Sequence, residues 1–219
     1  MAILSMASSK GGVSKSTLAI LIGTELATYG YRVTLLDCDI NQHASAFGEK
    51  CDIPGFKVRA NVTDSTILAA LREAEADADV VMVDLAGETS KLNLKALHRS
   101  SFVLIPCQAS LPDVKDAVKT VAQVDEAEEL ARVPIARSLI WTRVLPGFES
   151  RSARHVRKTV EGRGLPMFTA ALMERTAFRE MHLTGRTPRQ TDPKSSATAN
   201  VAAITTELLG NLQALAKAA

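Results

Sequence analysis

The stretch Ser9-Lys10-Gly11-Gly12-Val13-Ser14-Lys15-Ser16-Thr17 narrows the possible folds of this chain more than any other. It is a polar loop between a short apolar run, residues 2–7, and an apolar stretch, residues 18–27, which is the order strand, loop, helix. Glycines in such a loop let backbone N–H groups turn inward on an anion. A lysine can then reach the outer phosphates of a nucleotide, and a hydroxyl at the helix N-terminus can ligate Mg²⁺. Lys15 and Ser16 stand where those roles fall. A Gly/Ser loop capped by Ser14 or Ser16 would explain the serines without any ligand. The strand before, the helix after and two acidic strand ends downstream favour phosphate.

The same alternation continues. Gly30 stops the first helix, and residues 31–36 give a second strand that ends on Asp37-Cys38-Asp39. Residues 79–84, 102–106 and 136–142 read as further buried strands with helical patterns between them. Repeated βα units predict a single-domain α/β fold over residues 1–219, a mostly parallel twisted sheet with helices on both faces, and a ligand site at the carboxyl ends of the strands. The pattern after Arg143 is less regular. It predicts a basic helix near 150–163, a short strand near 167–170, a helix over 174–183, a polar loop through Lys194 and an Ala/Leu-rich terminal helix. Hydrophobic residues make up 46% and aromatics only 4%, so the core is aliphatic. No apolar run reaches the roughly 18 residues of a membrane span, and the opening residues lack a signal peptide's basic start. Cys38, Cys51 and Cys107 share no metal-type spacing, so a reducing cytoplasm is expected.

Asp84 ends an apolar strand, where a carboxylate can hold Mg²⁺, and Gly87 follows where a backbone N–H can meet the γ-phosphate. An Asp at that place can also simply cap the next helix. Asp37 and Asp39 lie two apart and project alike. One of them can support the metal shell while the other orients attacking water.

These residues resemble a known family. Lys10-Gly11-Gly12-x-x-Lys15-Ser16-Thr17 resembles the deviant Walker A motif of the ParA/MinD group of P-loop ATPases, marked by its extra early lysine. Asp37-Cys38-Asp39-Ile40-Asn41 is similar to that group's second motif, and Val81-Met82-Val83-Asp84 to its Walker B. Residues 106–113, PCQASLPD, resemble the segment that lines the nucleotide and dimer face, and Ile140-Trp141-Thr142-Arg143 the strand end near the adenine. The pattern Arg143-x-x-Pro146-Gly147 with Glu174-Arg175-x-x-Phe178 resembles the VirC1 branch, a ParA relative of T-DNA transfer. The resemblance implies ATP and Mg²⁺ as ligands, with nucleotide bound by residues Lys10, Gly11, Gly12, Val13, Ser14, Lys15, Ser16, Thr17, Thr142 and Arg143. It implies metal binding by Ser16, Asp37 and Asp84, and catalysis by Lys10, Lys15 and Asp39. Lys10 would reach across a nucleotide-sandwich homodimer, where a cation neutralises charge that grows in phosphoryl transfer. Two departures stand out. Ser14 replaces the glycine before the P-loop lysine, and at a positive φ its Cβ costs about 1–2 kcal/mol. Ile40-Asn41 replaces Pro-Gln.

Charge is divided along the chain. The net of +2 suggests no nucleic-acid partner. Residues 1–131, however, hold 12 Lys and Arg against 18 Asp and Glu, a net of −6, and residues 132–194 hold 13 against 5, a net of +8. Arg151, Arg154, Arg157 and Lys158 recur at helical spacing, followed by Arg175, Arg179, Arg186 and Arg189. Such cations can bind duplex phosphates without reading sequence, or form a solvated basic face. The resemblance favours nonspecific DNA binding by an ATP-dependent homodimer and release by hydrolysis that a ParB-like adaptor stimulates, the setting being plasmid or chromosome segregation at the nucleoid. The P-loop lies so near the N-terminus that no DNA-reading module is expected ahead of it. The alternatives are a VirC1-like factor in DNA transfer, a MinD-like positioning ATPase on membrane, a ligase such as dethiobiotin synthetase, and a hydrolysis-poor nucleotide-binding module caused by Ser14. The tail after Ile204 carries Lys217 as its one cation, which disfavours membrane.

Overall fold

The computed structural model describes residues 2–88, 90–162 and 164–218. Strand β1 (Ala2–Met6) leads through the loop to helix α1 (Lys15–Thr28), and β2 (Val33–Asp37) to α2 (His43–Gly48). Then come β3 (Phe56–Arg59), α3 (Ile67–Asp77), β4 (Val80–Asp84), α4 (Lys91–Leu97), β5 (Phe102–Cys107), α5 (Leu111–Ala131) and β6 (Ala136–Trp141). Four helices complete the described chain: α6 (Arg151–Glu161), α7 (Thr176–Thr184), α8 (Pro188–Thr191) and α9 (Ser196–Ala218). The six strands form one sheet, ordered β3-β2-β4-β1-β5-β6, and every pairing is parallel.

Alternation along each strand divides the core. Ile3, Val81, Val83, Val103, Ile105, Leu139 and Trp141 face one side and pack on Leu71, Leu97, Val114, Val124, Val156 and Val160, from helices α3 to α6. Leu4, Met6, Leu35, Met82, Leu104 and Ile140 face the other and pack on α1, α7 and α9 through Leu18, Ile22, Phe178, Met181, Val201 and Ile204. With both faces covered, strands such as Val80–Asp84 are buried along their whole length, as a parallel sheet demands. Thus β1, β4 and β2 lie side by side in the sheet, with Met6 and Asp37 both opposite Asp84. All the motif loops therefore meet at one edge of the sheet.

The expected α/β architecture is present, with three local differences. The edge strand β3 had no counterpart in the sequence pattern, because its four residues bury mainly Phe56. Residues 167–170 form no strand; Met167 makes an isolated bridge to Leu139, held by Phe168 N donating to Leu139 O at 2.8 Å. The expected polar loop before Lys194 contains α8, nucleated by a capping box between Thr187 and Gln190. Gly30, at φ 93°, ends α1 as anticipated.

Candidate nucleotide site and basic surface

The loop after β1 is shaped by two left-handed residues, Gly12 at φ 76° and Ser14 at φ 75°. Ser14 is the N-cap of α1 and offers no side-chain cap hydrogen bond. Its carbonyl starts the helix by accepting from Leu18 N at 2.9 Å. A residue with a Cβ thus occupies the conformation that glycine adopts most easily. The first turn of α1 carries no acidic side chain, so no carboxylate of its own offsets the positive end of the helix dipole, which favours an anion.

Lys15 is buried, and its ammonium donates to Lys10 O at 3.1 Å. Burial pulls its pKa down, while the charges of Asp84 and Asp39 oppose the fall. Asp84 is wholly buried, and neither of its carboxylate oxygens has a hydrogen-bond partner among the described residues. Desolvation pushes its pKa up to about 7 despite the Ser16 side chain and Lys15 ammonium, which act to lower it. Asp37 is equally buried but satisfied: one oxygen accepts from Ser45 N and Ser45 Oγ at 2.8 and 2.7 Å, the other from Asp39 N at 3.2 Å. Asp39 Oδ1 accepts from Asn41 N and Asn41 Nδ2, both at 2.9 Å. Beside the loop, Gly87 comes so close that a Cβ there would lie 2.6 Å from Gly11 N. Only glycine fits.

The outer side of the loop is tied to α5. Ser9 N donates to Thr120 Oγ1 and Ser9 Oγ to Asp116 O, both at 2.9 Å. Gln108 Nε2 reaches Gly12 O at 3.4 Å, and Lys10 Nζ pairs with Asp113 Oδ1 at 2.9 Å with its own side chain 41% exposed. Asp113 raises the Lys10 pKa. Behind the loop, the buried Asn93 donates to the carbonyls of Ala86 and Glu88. Gln108 and Asp113 lie in the PCQASLPD segment singled out from sequence. Thr120, Asp116 and Asn93 carry no such signal, since their partners come from distant parts of the chain.

The residues present fit Mg²⁺ bound with a nucleotide. An unpartnered buried carboxylate at Asp84 beside the Ser16 side chain is a donor set of hard oxygens, which suits that ion. No group of three His, Cys, Asp or Glu among the described residues could hold a metal, so water and phosphate oxygens would complete the shell.

The eight cations proposed for DNA are divided between the two faces of the sheet. Arg151, Arg154 and Lys158 are exposed on α6, which packs on one face through Val156 and Val160. Arg157, on the same helix, turns inward over Trp141, its guanidinium carbon 5.4 Å from the ring centroid, with Nε 2.9 Å from Glu149 Oε1. Arg175, Arg179, Arg186 and Arg189 lie with α7 and α8 on the opposite face. Arg175 donates to Ser196 Oγ at 2.7 Å. Arg179 is exposed near Glu174, and Arg186 is exposed. Arg189 grips the buried Glu25 of α1 through two hydrogen bonds. At the end of β6, Thr142 is buried with its hydroxyl unpartnered among the described residues, and Arg143 is exposed at φ 53°.

Comparison with known proteins decides the family. A family profile described as "VirC1 protein" matches residues 1–216. The chain belongs to the VirC1 family. It is also 32% identical to the protein ParA of Rhizobium radiobacter over 179 residues, 81% of each chain. The family is one of ParA/MinD-type partition ATPases. Among solved structures, apo McdA of Cyanothece has a TM-score of 0.81 at 15% identity, covering 95% of this chain and 99% of that one. A plasmid partition protein of Borrelia burgdorferi B31, bound to AMPPNP, has a TM-score of 0.75 at 18% identity, covering 96% and 99%. Both share the fold.

Proposed function

We propose that this protein is an ATP-driven DNA-partitioning switch. ATP with Mg²⁺ occupies the loop between β1 and α1, two copies close face to face over their nucleotides, and the dimer holds duplex DNA nonspecifically until hydrolysis, stimulated by an adaptor protein, releases it. The observation that carries this reading is the Asp84 carboxylate, buried without a hydrogen-bond partner among the described residues, close to Ser16 and Lys15 at the start of α1. Burying an unpaired charge is costly, and a metal–phosphate ligand would relieve that cost.

Within that site we assign the roles as follows. Lys15, Gly11, Gly12 and Val13 surround the phosphates, Ser16 and Asp84 hold the Mg²⁺, and Asp37 fixes the loop through Ser45. Mg²⁺ supplies charge neutralisation at the phosphates. Asp39, held by Asn41, orients the attacking water. Lys10 rests on Asp113 at the surface, where exchanging one anionic partner for another requires no desolvation from a deep site. The exposed α6 cations Arg151, Arg154 and Lys158 form the DNA face. Among the described residues no helix is long and apolar enough to cross a membrane.

The assembly step is tested by sedimentation of the protein alone, with ADP and with a nonhydrolysable ATP analogue. A dimer formed only with the triphosphate, and lost in Lys10→Ala, is expected. A mass that is the same in all three states contradicts the switch. The Ser14 conformation favours a second reading, a module that binds nucleotide but turns it over poorly; normal turnover by the unaltered chain would exclude it.

A further inference from the structure

Arg157 differs from its neighbours on α6. Its side chain is 28% exposed against 61% for Arg154, and its guanidinium lies over the buried ring of Trp141 while facing Glu149. Glu149 also stands 3.5 Å from Arg154, so one carboxylate joins the inward and outward cations. Trp141 ends β6 and pairs in register with Cys107 of β5. The next residue, Thr142, donates its N–H to Cys107 O at 2.9 Å. Gln108, which follows Cys107, reaches the phosphate loop at Gly12 O. A continuous series of contacts therefore runs from the glycine loop through the ends of β5 and β6 to the underside of α6.

We propose that Arg157 is a positioning residue that couples the nucleotide site to the basic helix, with Trp141 as the joint. Nucleotide entering the loop shifts Gly12 and Gln108, the ends of β5 and β6 follow, and the Arg157–Trp141 stack carries that shift into the placement of Arg151, Arg154 and Lys158. The DNA part of this inference rests on the proposed function, while the coupling part does not. A direct phosphate contact by Arg157 makes a different demand on chemistry. Lysine would replace arginine at a phosphate, because both supply a cation, but lysine has no planar guanidinium to stack on the ring.

Trp141 is the only tryptophan in the sequence, so its fluorescence reads the joint directly, without DNA. In the unaltered protein a nonhydrolysable ATP analogue should change Trp141 emission. In Arg157→Lys that change should be lost while ATP affinity, measured calorimetrically, stays near the wild-type value. The ratio of DNA affinities with ATP analogue and with ADP should fall by about fivefold, the scale of a partly desolvated cation–π contact, whereas Arg154→Lys should keep it. Glu149→Gln, which releases Arg157 and also loosens Arg154 while leaving the cations in place, should give a smaller loss of the same kind. Wild-type Trp141 emission that ignores the analogue, or Arg157→Lys with wild-type emission and affinity ratio, overturns the coupling. A changed emission in a protein that binds no DNA in any state supports the coupling and defeats the partition reading alone.

Discussion

The phosphate loop and the basic C-terminal part are both polar surfaces on one fold, yet side chains have their roles assigned differently in each. Around the loop, placement follows chain order. Residues from Lys10 to Thr17 are set by backbone turns and a helix start that their own sequence creates, and Asp37 and Asp84 reach the same point because parallel strands β2 and β4 end together. In the basic part, residues of one chemical type have three fates. Arg154 points to solvent, Arg157 stacks on Trp141, and Arg189 is consumed by Glu25. Periodicity counts cations on a helix but does not say which way each turns.

Substitutions in the two regions should separate accordingly. The largest effect is expected at the loop: Lys15→Ala should lower ATP turnover by at least about a hundredfold, the scale of losing one preorganised charge at a transition state, as read in a steady-state phosphate-release assay. Asp84→Asn should abolish Mg²⁺-dependent ATP binding and at the same time raise the melting temperature of the nucleotide-free protein. The sign follows from linkage. An acid raised in the folded state from 3.8 to about 7 contributes stability at low pH that is lost as pH climbs through that interval. Removing it should therefore help most above about pH 7 and little below about pH 4. A melting gain that did not vary with pH would contradict the origin given for the shift.

The basic part should divide internally. Arg189→Ala leaves Glu25 buried with Tyr29 as its remaining side-chain partner, whose hydroxyl donates at 2.8 Å. A loss of a few kcal/mol is expected in chemical denaturation, and DNA affinity per folded molecule should hold. Arg154→Glu should do the reverse: about tenfold weaker DNA binding, a shallower salt dependence and an unchanged melting temperature. The same profile for both would erase the distinction between outward and inward arginines. The smallest effect belongs to Ser14→Gly, which relieves about 1–2 kcal/mol at a positive φ. It should tighten ATP binding or speed turnover several-fold, and unchanged values would show that the serine is accommodated without strain.

Much of this was legible in the sequence because the decisive features are local. A glycine loop between an apolar strand and a helix, and an aspartate at the end of an apolar strand, keep their meaning in any tertiary setting. Gly87 was marked for phosphate, and its approach to Gly11 N adds a steric reason for glycine. What escaped depends on distant partners. Asn93 fastens the loop after β4, and Thr120 fastens Ser9 across 111 positions. Strand β3 offers too few apolar positions for a period to show, and α8 is a single capped turn. The inward turn of Arg157 required Trp141 to be placed first.

The central claim is that nucleotide at the β1–α1 loop controls DNA held by the C-terminal cations. It is tested most directly by titrating labelled duplex DNA with the protein alone, with ADP, with ATP and with a nonhydrolysable analogue, each in Mg²⁺ at one fixed salt concentration. Tight, salt-sensitive binding only with ATP and its analogue is predicted. Equal affinity in all four states would leave a basic surface with no switch behind it and contradict the account.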